Sequence, residues 1–125
     1  MHAVHLEFFI IFLFALLGKD AVCKPLKTNA DVKKIVSEKA EYHWKNLARE
    51  LGLEDGIIDA ISVEQQDKCG ECCYQVLQRW YEENGESATI RRAMVALTRI
   101  GLADINNDIV DCLNLRRLDQ MELDS

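Results

Sequence analysis

Proline is nearly absent from this chain: Pro25 is the only one in 125 residues. Beyond it no strong breaker divides the chain, and apolar residues nowhere alternate with polar ones over a long run. That excludes a sheet-based fold and leaves helix after helix. Net positive charge is missing too. The formal charge of −6 argues against a nucleic-acid binder, which needs a basic footprint. Histidine is scarce. His2 and His5 lie in the first few residues, and His43 falls on a predicted helix. With no Cys/His or Ser/His/Asp arrangement and no glycine-rich phosphate loop, the chain offers no acid, base or nucleophile for catalysis. No cofactor is implied. The five cysteines (Cys23, Cys69, Cys72, Cys73 and Cys112) lack the even count and spacing of a disulfide framework. There is no N-x-S/T acceptor site, which mildly disfavours secretion.

What remains is an amphipathic pattern centred on Cys69–Leu102. Cys69, Cys73, Val76, Leu77 and Trp80 recur on one helical face. Asn84-Gly85 supplies a helix stop, Ser87 a candidate N-cap, and Ile90, Ala93, Met94 and Leu97 a second apolar face. On this pattern Cys69 and Cys73 point to the core and Cys72 sits at its border. Structural zinc needs four converging ligands, so the cluster reads as packing and no metal site is expected.

Upstream, Leu6–Leu17 is a nearly unbroken apolar run. It is short of the about 20 residues of a membrane span and matches a signal-peptide core of ~7–15 residues. Ala21-Val22-Cys23 would be the cleavage site. Lys and Arg are absent before Lys19, however, and Glu7 sits at the edge of the run. Residues 1–23 are therefore a hydrophobic leader, either a signal peptide or a short anchor. Residues 24–30 read as a linker, with Asn29 or Thr28 capping the helix after it.

The longest periodic segment, Asp31–Leu51, buries Val32, Ile35, Val36, Ala40, Trp44, Leu47, Ala48 and Leu51 on one stripe and ends at Gly52. Ser37 is the candidate bend. A short second helix comes next, over Glu54–Ile61. Val63–Lys68 forms at most one weak turn. A last helix over Ala103–Leu113 precedes a polar, fraying tail at 115–125. The count is six helices, the third marginal, in one all-α bundle with short, antiparallel connections.

Five stretches in this order resemble one family. Trp44-Lys45-Asn46-Leu47-Ala48-Arg49-Glu50-Leu51-Gly52-Leu53 is similar to the W-x-x-L-A-x-x-L-G-L signature of death domains. Ile57–Ile61 resembles the second-helix I-x-x-I, and Tyr74–Trp80 the fourth-helix L-x-x-W. Gly85–Leu97 resembles G-x-x-A-T followed by A-L, and Ile100–Asp104 the run that closes many of these domains. The resemblance covers residues 31–114 and implies a six-helix antiparallel Greek-key bundle. It also implies a cytoplasmic adaptor, not an enzyme, that associates homotypically with other death-domain proteins in apoptotic or innate immune signalling. The leader is foreign to that pattern. It keeps open a secreted or lumenal helical protein, or a membrane-anchored death-domain decoy.

Charge supplies the candidate partner-binding residues. Lys24–Glu50 carries seven Lys/Arg against four Asp/Glu, whereas Glu54–Glu71 carries six acids against Lys68 alone. In the family, helices 1 and 4 of one domain meet helix 2 of another. The resemblance then places Lys33, Lys34, Lys39, Lys45 and Arg49 on helix 1 with Arg79 on helix 4, opposite Glu54, Asp55 and Asp59 on helix 2. Arg91 and Arg92 offer a further contact. Such head-to-tail pairing propagates into rings or filaments.

Overall fold

The computed structural model describes residues 19–124; the apolar run Leu6–Leu17 lies outside them. Seven α-helices run in order, with no strand among the described residues: α1 (Lys19–Cys23), α2 (Ala30–Lys39), α3 (Trp44–Glu50), α4 (Asp55–Glu64), α5 (Cys69–Asn84), α6 (Ile90–Arg99) and α7 (Ala103–Asp124). The all-α fold is the one the periodicity and the resemblance imply. α5 is the central element. It packs against α2, α3 and α4, while α7 packs on α2 and α6.

The helix limits reflect capping chemistry. Asn29 opens α2, its Oδ1 accepting from the Val32 N–H at 3.1 Å. Gly52 turns the chain after α3 at φ +89°, where only a residue without Cβ is unstrained. Thr89 caps α6, accepting from the Arg92 N–H at 3.2 Å. The expected cap, Ser87, instead lies in a 3-10 turn over Gly85–Ser87 and donates to the Asn84 carbonyl at 2.7 Å.

Four expectations change. The long first helix is broken at Ala40, not bent at Ser37, and a 3-10 turn over Glu41–His43 separates α2 from α3. Ser37 stays helical, with its hydroxyl satisfied by the Lys33 carbonyl at 2.8 Å. The chain after Glu64 forms a turn in which Gln66 and Asp67 both take positive φ; the Ser62 hydroxyl bonds the Asp67 carboxylate across it. The polar tail is helical: α7 continues to Asp124, because residues 103–124 contain no Gly or Pro and many good helix formers. Past Leu113 it exposes Leu115, Leu118 and Met121.

The fourth change concerns the linker. Leu26 is 0% exposed and Val22 2%. The Leu26 N–H donates to the Ala88 carbonyl at 2.9 Å, and the Ile90 N–H donates to the Lys24 carbonyl at 3.0 Å. Pro25 and Thr89 form an isolated bridge, and α1 rests on α6. An apolar residue every four positions (Val22, Leu26) carries the core pattern upstream through the only proline. The segment from Ala21 to Asn29 is thus part of the domain.

Trp80 and Leu77 on α5 are fully buried, with Trp44 and Leu47 from α3, Ile58 and Ile61 from α4, Leu97 from α6 and Ile109 from α7. Of the buried polar residues, Asn106 is the most deeply placed. Asn106 is 0% exposed, and its Nδ2 donates to the Met94 carbonyl at 3.1 Å and to the Thr98 hydroxyl at 2.7 Å.

Candidate interaction surfaces

The basic face of α2 borders an open groove of about 470 Å³ against α5. Lys33, Lys34, Glu38, Glu41, Glu71 and Tyr74 line it. Helical spacing places Lys33 beside α5, with its Nζ 4.2 Å from the centre of the Tyr74 ring and 5.2 Å from that of Tyr81. A cation over two aromatic faces is held by their quadrupoles. Lys33 is therefore a fixed charge at the groove wall. Lys34 is exposed and 4.0 Å from Glu38. Tyr74 is absent from the residues singled out by charge. Its signal in the sequence is an aromatic standing off the apolar stripe of α5.

The remaining candidates divide into paired and unpaired charges. Lys39 Nζ lies 2.7 Å from the Asp108 carboxylate, tying α2 to α7. Arg49 lies 3.7 Å from Asp55 across the Gly52 turn. Arg79 lies 4.0 Å from Glu64. These residues bridge elements of one domain, a use that sequence spacing shows only for Arg49 and Asp55, six positions apart. Arg92 is also structural. Its Nη1 donates to the Ser87 carbonyl at 3.1 Å and to Asn84 Oδ1 at 3.4 Å, and its guanidinium sits 5.7 Å from the Trp80 ring centre. It fastens the 3-10 turn over the core. Arg91 is exposed on the first turn of α6.

Lys45, Glu54 and Asp59 remain. All three are exposed, and none has an ion pair among the described residues. Lys45 stands on α3 with its Nζ 5.5 Å from the Trp44 ring centre. Glu54 precedes α4 and Asp59 lies on it, where early acids also favour the helix dipole.

The cysteines are thiols; Cys73 is buried as expected, whereas Cys69 and Cys72 exchange the places expected of them. Cys72 and Cys73 are fully buried while Cys69 is half-buried, because α5 is rolled to seat Cys72 in the core. Among the described residues no group of three or more His, Cys, Asp and Glu side chains is arranged to hold a metal ion. Burial, then Asp67, pushes the Cys72 thiol up. Burial, then Glu41, pushes Cys73 up to about 12. Neither is activated as a nucleophile.

This placement carries a pH dependence. Cys73 ionises near its ordinary value of 9.0 in the unfolded chain and only near about 12 in the folded one. Its contribution to stability is complete below about pH 9 and is lost as pH rises toward about 12, by up to about 1.4 kcal/mol per pH unit. Burial raises Tyr81 as well, adding loss of the same sign above its ordinary value. The urea midpoint should therefore fall steadily above pH 9, and the Cys73→Val variant should lose less between pH 9 and 10.

The chain matches the family model for the death domain over residues 29–111. It is 32% identical over 77 residues to human receptor-interacting serine/threonine-protein kinase 1, covering 60% of this chain and 12% of that protein. It is also 32% identical over 81 residues to chicken tumor necrosis factor receptor superfamily member 16, covering 65% of this chain and 18% of that protein. The chain thus spans under a fifth of the length of either relative. No helix among the described residues is long and apolar enough to cross a membrane. The all-α bundle and its buried tryptophans accord with that match, and the chain belongs to the death domain family.

Proposed function

We propose that this chain is an adaptor that assembles death-domain complexes in apoptotic or innate immune signalling, working in the cytoplasm by non-covalent homotypic association. The carrying observation is the separation of unpaired charge of opposite sign. Lys45 stands on α3, while Glu54 and Asp59 stand at α4; Lys33, held over Tyr74, and Lys34, beside Glu38, add positive charge on α2. Surfaces that differ in this way suit a head-to-tail contact in which each domain offers one face to each neighbour. Arg49, Asp55 and Arg79 then act mainly within the domain, holding α3, α4 and α5 in the arrangement that keeps the two faces apart.

Exposed charges of this kind steer encounter and select partners, and salt weakens them. Asp59→Lys or Lys45→Glu should each weaken association by about tenfold or more, since like charges then face each other. The double variant should recover part of the loss. Light scattering at low and high salt measures both effects. Association indifferent to either single reversal would sink this reading.

A further inference from the structure

The cations of α6 stand where the fold does not reward them. Arg91 and Arg92 lie in its first turn, which holds no acid. The helix dipole is positive at that end and favours acids there, so two adjacent arginines oppose it and each other. Arg92 is engaged by the 3-10 turn over Trp80. Arg91 is exposed, as is Arg99 in the last turn. Arg91, Val95 and Arg99 follow at i, i+4 and i+8, so one face of α6 carries a cation near each end.

That face borders a cleft of about 290 Å³ at the end of α3. Arg91, Arg92 and Arg99 all line it, together with Val95, Leu51 and Glu50. Three guanidinium groups thus share the cleft with one carboxylate, a local excess of positive charge in a chain of formal charge −6. Glu50 Oε1 lies 3.3 Å from Arg99 Nη1. The cleft already holds a carboxylate against a guanidinium, through a single loose contact. Guanidinium pairs best with phosphate, which accepts several N–H donors at once and carries about −1.5 to −2 charge as a monoester. The volume is at the small end of ligand pockets, about 300–1,000 Å³, and suits one compact charged group. The net negative charge of the chain opposes approach to an anionic bilayer, whereas a side chain on a peptide can reach into a recess.

We propose that the cleft between α3 and α6 binds a phosphorylated side chain of a partner protein, with Arg91 and Arg99 as its contacts and Arg92 adding positive charge from the edge. Phosphate takes the place of Glu50 at Arg99, so Glu50 is an internal competitor that sets the affinity of the site. The cleft does not include Lys45, Glu54 or Asp59, so this contact stands or falls separately from the homotypic one.

Fluorescence anisotropy of the full chain with a labelled glycine-serine peptide tests this, the central residue being serine, phosphoserine or glutamate. The phosphoserine form should bind at least about tenfold more tightly than the other two. Arg91→Gln and Arg99→Gln should each weaken it by about tenfold, the size of one charged hydrogen bond. Glu50→Gln should bind several-fold more tightly, whereas Glu54→Gln, the same change of charge outside the cleft, should not. Arg92 is left intact because it anchors the turn over Trp80. Circular dichroism and thermal melting confirm that each variant is folded. A phosphoserine form that binds no better than either of the others at millimolar peptide overturns the proposal. So does a preference lost in Lys33→Gln/Lys34→Gln but kept in the arginine variants, a Glu50→Gln variant that binds no better than the parent, or capture by phosphoinositide vesicles without binding of the peptide.

Discussion

Trp80→Ala should cost about 3–5 kcal/mol and leave the domain largely unfolded under mild denaturant. Trp80 is 0% exposed at the middle of α5, the helix on which α2, α3 and α4 all rest. Its ring is tilted against Tyr81 at 5.9 Å and is covered by the Arg92 guanidinium. An aromatic side chain buries about 150–250 Å², and α5 cannot close over that volume without giving up its contacts on three sides. The indole Nε1 makes no hydrogen bond to the described residues, so the loss is one of packing, with no polar partner stranded. Trp80→Phe should therefore be much milder, since it keeps an aromatic ring and removes a buried donor without a mate. Urea unfolding monitored by circular dichroism separates the two. A loss under about 1 kcal/mol for Trp80→Ala would be inconsistent with a core role. Because small domains are stable by only about 5–15 kcal/mol, any loss of association in this variant reports unfolding and says nothing about the binding surface.

Leu26→Asp should be of similar size, at least about 3 kcal/mol at neutral pH. It deletes a fully buried side chain and puts a carboxylate where no cation or water can reach it. The group escapes by protonating or by peeling the segment from α6, which breaks the Leu26–Ala88 and Lys24–Ile90 hydrogen bonds and uncovers Val22. Because burial favours the protonated form, the damage should be smaller near pH 4 than near pH 7. Lys27→Ala, one position away and exposed, should change stability by no more than about 0.5 kcal/mol. If Leu26→Asp behaves like Lys27→Ala, the segment is a linker after all. Unfolding monitored at both pH values decides between them.

What the sequence shows and what it hides divide along physical lines. The stripes of α5, α6 and the first half of α7 are legible because each repeats over two or more turns, and a one-residue shift would expose them. The stops at Gly52 and Gly85 are legible because positive φ there calls for glycine. The docking of Val22 and Leu26 is not, since two apolar residues beside a proline look the same in a linker as in a core. The break at Ala40 is hidden as well: no Gly or Pro marks it, and tertiary packing of Trp44 outweighs helix propensity. Cys73 faces inward as its stripe predicts, but Cys72, placed at the border, is buried too, while Cys69, placed on the stripe, is only half-buried; a small roll of α5 separates the two readings. At the surface, charge sign is readable but pairing is not. Nothing in the sequence tells that Lys39 meets Asp108, 69 positions away, or that Arg92 is held by the turn before it.

The two hydrogen bonds of Asn106 bear on how α7 is seated. Its amide bonds Met94 and Thr98 on α6 at once, while the apolar neighbours Ile105, Ile109 and Leu113 would tolerate several positions along the same groove. Sliding α7 by one turn, about 5.4 Å, would keep most of the oily contact and leave the amide with no partner in a dry interior. The asparagine thus acts as a notch in an otherwise smooth track. It selects one seating among near-equals, and it thereby fixes where the protruding half of α7 aims Leu115, Leu118 and Met121.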